Sequence, residues 1–133
     1  MDRPRRRHYD CEGDGAAGRA REQVRRFLGD ALRAGPPVPV SVQDSALLVA
    51  TELVVNAVRH TPGPCSLDVS WAGDGIDIDV SDPSPEPPRS RPADLKGGGG
   101  HGWPLVHHLA SQVDVLPAPD GGKTIHVHLS GAA

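Results

Sequence analysis

The sequence predicts an α+β domain in which about three helices pack against a sheet with one buried face. Three observations predict it. Apolar residues between 17 and 60 recur at helical spacing, and from 67 to 80 the period falls to two across a glycine-rich turn. After a Pro- and Gly-rich stretch come one short helical segment and two more alternating segments, which complete a chain of 133 residues, the size of one ordinary domain.

Residues 1–16 form an N-terminal tail or an edge strand, with 6–11 as the extended candidate. From 17 to 34, Ala20, Val24, Phe27, Leu28, Ala31 and Leu32 fall on one side of a helix and Arg and Glu on the other. Gly35-Pro36-Pro37 closes that amphipathic helix. A second helix is expected over 41–60: Ser41 followed by Asp44 resembles a capping box, and Thr61-Pro62-Gly63-Pro64 stops it. Leu67, Val69 and Trp71, then Ile76, Ile78 and Val80, alternate with polar residues on either side of Ala72-Gly73-Asp74-Gly75, which reads as a β-hairpin. The segment 83–102 has no apolar periodicity, so inside a compact domain it is either a functional lid or a disordered insert. A short helix over 103–112 follows, then strands over 113–116 and 124–129.

Composition narrows the function classes. A formal charge of -3 gives no overall basic field for nucleic acid or an anionic membrane. The local exception is Arg3, Arg5, Arg6 and Arg7, a short basic arm of the kind that is ordinarily just solvated, so nucleic acid is not the expected partner. No apolar run reaches the roughly 18 residues of a membrane span and no secretory signal core is present, so a cytoplasmic protein is the expectation. Twelve of the 14 basic residues are Arg, a bias that points to a G+C-rich, bacterial coding genome. Cys11 and Cys65 are far apart and in no CxxC pattern, implying neither a disulfide framework nor a zinc knuckle. His107 and His108 point about 100° apart on a helix, and His126 with His128 lacks an evident third ligand, so a structural metal is not expected.

The polar residues within the apolar helix carry more information. Glu52, Asn56 and His60 recur every four residues and share one stripe. A buried carboxylate without a partner costs several kcal/mol, so the stripe lines either a polar site or a polar seam. Gly97-Gly98-Gly99-Gly100-His101-Gly102 runs directly into Trp103-Pro104, and proline favours the first turn of a helix. Glycines at a helix start let backbone N–H groups approach a phosphate, although flexible linkers have the same composition. Asp82 ends the second hairpin strand, where carboxylates either bind ligands or cap turns, and Gly121-Gly122-Lys123-Thr124 leads into the last strand.

In this order, Glu-x-x-x-Asn, Asp, Gly-x-Gly before a helix and Gly-x-Thr resemble the Bergerat ATP-binding fold shared by histidine kinases and gyrase. Within it the short chain is similar to the anti-sigma-factor serine kinases, whose bacterial members control sporulation and stress sigma factors. The resemblance covers about residues 17–130. It implies a two-layer sandwich: a mixed, mostly antiparallel sheet covered on one face by about three helices, with residues 17–133 as the ATP-binding domain and 83–102 as its lid.

The resemblance also implies roles. Asn56 matches the Mg²⁺ ligand, Glu52 the general base, Asp82 the acid that reads the adenine amino group, Gly98, Gly100 and Gly102, with His101 among them, the phosphate-wrapping glycine box, and Thr124 the threonine near adenine. One amide oxygen suits Mg²⁺, which keeps waters and phosphate oxygens, and a Glu beside it suits deprotonation of a serine hydroxyl. Arg89, Arg91 and Lys96 lie in the lid, where they either meet the triphosphate or remain solvated. The implied cofactors are ATP and Mg²⁺. The implied partners are a sigma factor and its anti-sigma antagonist, with a homodimer by analogy. One departure is present: Asp82-Pro83-Ser84-Pro85-Glu86 stands where the family has Asp-x-Gly-x-Gly. It keeps open an alternative, a weak or inactive nucleotide-binding module of the same fold that acts by sequestering a partner.

Overall fold

A computed structural model describes residues 6–34, 39–60, 64–86, 88 and 102–131. Its elements run β1 (Arg6–Cys11), α1 (Ala16–Ala34), α2 (Val40–His60), β2 (Cys65–Ala72), β3 (Gly75–Asp82), α3 (Gly102–Leu109), β4 (Gln112–Pro117) and β5 (Lys123–Ser130). The five strands form one open sheet in the order β1-β2-β3-β5-β4. The α+β class with about three helices matches the expectation. The sheet is not mixed, however: every pairing among the described strands is antiparallel.

Alternation along the strands sets the two faces. Leu67 and Val69 on β2, Ile76, Ile78 and Val80 on β3, and Ile125, Val127 and Leu129 on β5 are buried. Against them lies α2, through Ala46, Val49, Ala50, Leu53, Val54 and Ala57, also buried. The α1 helix adds Ala16, Ala20, Val24, Phe27 and Leu28, whose spacing makes one stripe. With so few aromatics the core is aliphatic, and the one aromatic contact within it sets Phe27 against Trp71 with ring centroids 5.2 Å apart. The opposite face of the sheet is polar: the residues that alternate with the core include Asp68, Asp77, Asp79, His126 and His128.

Three local expectations change. The start of α2 is not capped at Ser41: the helix begins at Val40, and the Pro39 carbonyl accepts from the Val42 and Gln43 amides at 3.0 and 3.1 Å. The end of α3 comes earlier than 112, because the Ser111 amide donates to the His128 carbonyl at 2.9 Å and the chain joins β5 as β4. Finally, Cys11 and Cys65 stand directly opposite each other in the β1–β2 register and form a disulfide, with Cα atoms 5.2 Å apart. Spacing along the sequence, 54 residues, carried no sign of that pairing. Arg19 ties the edge to α1: its guanidinium donates to Tyr9 Oη and to the Glu12 and Asp14 carbonyls, at 2.8–3.0 Å.

Candidate functional site

α2 carries two of the expected site residues. Leu53, Val54 and Ala57 face the core, so Glu52 and Asn56, one turn apart, fall on the flank of the helix and are half-buried. The described part of His60 is its backbone, at the last position of α2.

That flank faces the start of α3. A Cβ added at Gly102 would run into the Glu52 carboxylate, the far end of a flexible side chain, so in this arrangement that carboxylate lies against bare backbone. The negative end of Glu52 therefore lies against a helix N-terminus, where unpaired N–H groups favour negative charge. Buried Val106 anchors α3 on the core, and His107 packs edge-on against Trp103 at 4.5 Å between centroids. Gly98, Gly100 and His101 lie outside the described residues, as do Arg89, Arg91 and Lys96.

The other end of the site is organised differently from the expectation. Asp82, at the end of β3, is buried on the core side. Directly opposite it in the ladder stands Lys123, also buried, whose Nζ donates to Asp82 Oδ1 at 2.9 Å. The side chains are only 3% and 7% exposed. The same Oδ1 accepts from the Ser84 amide at 2.8 Å, and Lys123 Nζ reaches the Ser84 carbonyl at 3.3 Å, so the pair cinches the 82–84 turn. Gly122 presses on that turn as well: a Cβ there would meet the Asp82 carbonyl oxygen and the Pro83 Cα. A cavity of about 220 Å³, lined by Pro85, Val115, Pro117, Ala118, Gly121 and Gly122, abuts Lys123.

Thr124 is not brought to Asp82. Neighbouring strand residues point to opposite faces, and Thr124 hydrogen-bonds Ser81 at 2.7 Å on the polar face. Sequence reading passed over Lys123, although the alternation Lys123, Ile125, Val127, Leu129 would have directed it inward beside Asp82.

The polar face accounts for the histidines. His126 Nδ1 bonds Asp79 at 2.7 Å, while His128 bonds Asp77 at 2.7 Å and Asp74 at 3.2 Å through its two ring nitrogens. At the other edge His8 bonds Asp68 at 2.9 Å and Asp10 at 2.8 Å. Hydrogen bonds to Asp77 hold the His128 pKa above the ordinary value, and those to Asp68 do the same for His8. Among the described residues no group of three His, Cys, Asp or Glu is arranged to hold a metal ion.

Set beside known families, residues 16–128 match the model described as histidine kinase-like ATPase domain, which spans α1 and nearly all of β5. The chain belongs to the histidine kinase-like ATPase family. A search of curated proteins finds no match to it. Membership in a histidine kinase-like ATPase family supports an ATP-binding regulatory function and implies ATP, usually with Mg²⁺, as ligand. The donor set at the α2–α3 seam fits such a group: an amide oxygen on Asn56 and a carboxylate on Glu52 suit a hard cation, and the first turn of α3 offers N–H donors. Among the described residues no helix is long and apolar enough to cross a membrane.

Proposed function

We propose that this histidine kinase-like ATPase domain is a bacterial anti-sigma factor that binds ATP and Mg²⁺ and phosphorylates a serine or threonine of its antagonist protein. The observation that carries the reading is the seating of Glu52, one turn from Asn56, against the first turn of α3 at Gly102. ATP with Mg²⁺ supplies the phosphoryl group and the charge neutralisation its transfer requires. Asn56 would hold the cation through its amide oxygen, and Glu52 would take the proton from the attacking hydroxyl. The α3 N-terminus would receive phosphate oxygens. The sigma factor and the antagonist are the proposed partners, and the cytoplasm the proposed setting.

The test is calorimetric titration with ATP, with and without Mg²⁺, for the wild type and Asn56→Ala, followed by phosphoryl transfer to candidate antagonists with Glu52→Ala. Mg²⁺-dependent binding that Asn56→Ala abolishes, and transfer that Glu52→Ala abolishes while binding persists, support the reading. A Glu52→Ala protein that transfers phosphate normally removes the base assignment.

A second reading, a module that acts by protein contact with little turnover, is favoured by one observation. Oδ1 of Asp82 is already engaged by Lys123 and by the Pro83-Ser84-Pro85 turn that replaces the glycines. Partner binding without transfer at any Mg²⁺ concentration would decide for it.

A further inference from the structure

The side chains of Asp82 and Lys123 are 3% and 7% exposed, yet the two carboxylate oxygens of Asp82 have different surroundings. Oδ1 accepts from the Lys123 ammonium at 2.9 Å and from the Ser84 amide at 2.8 Å. Oδ2 bonds no group among the described residues and stays accessible. Lys123 is itself held at both ends. Its backbone stands opposite Asp82 in the β3–β5 ladder, and its Nζ also reaches the Ser84 carbonyl oxygen at 3.3 Å.

We propose that Lys123 is a positioning residue for the nucleotide site: by holding Oδ1 it fixes the Asp82 carboxylate, with Oδ2 left as the acceptor for the exocyclic amino group of a 6-amino purine. This rests on the nucleotide reading given above and deepens it. The terminal torsion of an Asp side chain is broad, so an untethered carboxylate points its oxygens in no fixed direction. Two donors on one oxygen remove that freedom before a ligand arrives, and a preorganised acceptor spends less of its hydrogen bond on ordering. The ammonium also supplies the counter-charge that a buried carboxylate requires, which the Ser84 amide does not. With that charge balanced, the remaining oxygen suits a neutral N–H donor, and the base binds without displacing the lysine. Lys123 therefore acts on the base through Asp82.

The experiment compares ATP with purine riboside triphosphate, which lacks only the 6-amino group, by titration in Mg²⁺. The proteins are the wild type, Lys123→Met, which cannot donate to Oδ1, and Lys123→Arg, which can. The wild type should prefer ATP by roughly tenfold or more, the size of one hydrogen bond to a charged group. Lys123→Met should bring the two affinities within about threefold while still binding purine riboside triphosphate, and Lys123→Arg should restore most of the preference. A merely structural role would weaken both ligands alike and leave their ratio unchanged. A wild type without preference overturns the proposal, as does a Lys123→Met protein that keeps the wild-type ratio. A second measurement needs no variant at position 123. In ¹⁵N-lysine-labelled wild type, with Lys96→Arg to assign the signal, the Lys123 ammonium should remain in slow exchange when ATP is added. An ammonium released into fast exchange by ATP means that the base has displaced it from Asp82, and overturns the proposal even if Lys123→Met does not fold. Failure of every protein to bind either triphosphate is a different result: it removes the nucleotide site, and this inference with it.

Discussion

The Glu52 carboxylate of α2 lies where a side chain on Gly102 of α3 would have to be, so the two helices meet through a carboxylate on one and bare backbone on the other. Gly102→Ala should therefore turn the Glu52 carboxylate aside and destabilise the domain by about 0.5–1.5 kcal/mol, the cost of forcing a flexible side chain off its rotamer. In a Glu52→Ala background, where the carboxylate is gone and the nearest remaining Glu52 atom is Cβ at 3.8 Å, the same substitution should cost less than about 0.5 kcal/mol. Urea unfolding of the four proteins measures the coupling. Equal costs in both backgrounds would show that the contact is not the source of the cost.

The Lys123–Asp82 pair predicts an asymmetry in stability. Lys123→Ala leaves a buried carboxylate without its counter-charge and should cost about 3–5 kcal/mol, whereas replacing both with apolar residues, Lys123→Met with Asp82→Leu, should cost far less. Denaturant midpoints compare the two. A single variant as stable as the wild type would mean that the pair is not buried in solution.

The histidines of the polar face predict a pH dependence with a definite sign. His128 and His8 have pKa values raised in the folded protein by hydrogen bonds to Asp77 and Asp68. Their contribution is complete below the unfolded histidine value of about 6.5 and is lost as pH rises through the folded values. Melting temperature should thus fall as pH is raised across that interval, and His8→Asn with His128→Asn should flatten the profile. Asp74 acts in the opposite sense: hydrogen bonds from Ser130 and then His128 lower its pKa, so its contribution is present above the unfolded carboxylate value and is lost as pH falls through the lowered one. A double variant whose melting profile still tracks the wild type would detach the effect from these histidines.

The Cys11–Cys65 disulfide closes a loop of 54 residues that includes both α1 and α2. Reduction should lower stability by about 2–4 kcal/mol by enlarging the unfolded ensemble. Calorimetric melting with and without reductant checks this, and Cys11→Ser with Cys65→Ser should melt at one temperature in both conditions. A wild-type melting point indifferent to reductant would show that the bond contributes nothing.

How much was legible in the sequence varied with the range of the interaction. The periods of α1, α2 and the β2–β3 hairpin were readable because they report local geometry: one stripe for each helix, one face for each strand. The α2 boundary was misplaced by one residue because the Pro39 carbonyl, not the Ser41 side chain, receives the first amides. The end of α3 was misplaced because β5 captures Ser111, and a strand 17 residues away is invisible to a helical window. Asn56 and Glu52 could be paired from spacing alone. The alternation of Ile125, Val127 and Leu129 also puts Lys123 on the inner face and Thr124 on the outer one, but that Lys123 stands opposite Asp82 depends on the register with β3.

By itself, then, the amino-acid order determined the α+β class, the helix carrying Glu52 and Asn56, and the departure from glycine after Asp82. Each of these is a matter of residue type and of spacing over one or two turns. Tertiary structure alone decided that Lys123 is the partner of Asp82, that Cys11 meets Cys65, and that Glu52 rests on Gly102. Those three contacts join positions 41, 54 and 50 residues apart, respectively. Strand register and helix packing bring them together, and both are set by burial of the whole core rather than by any local pattern.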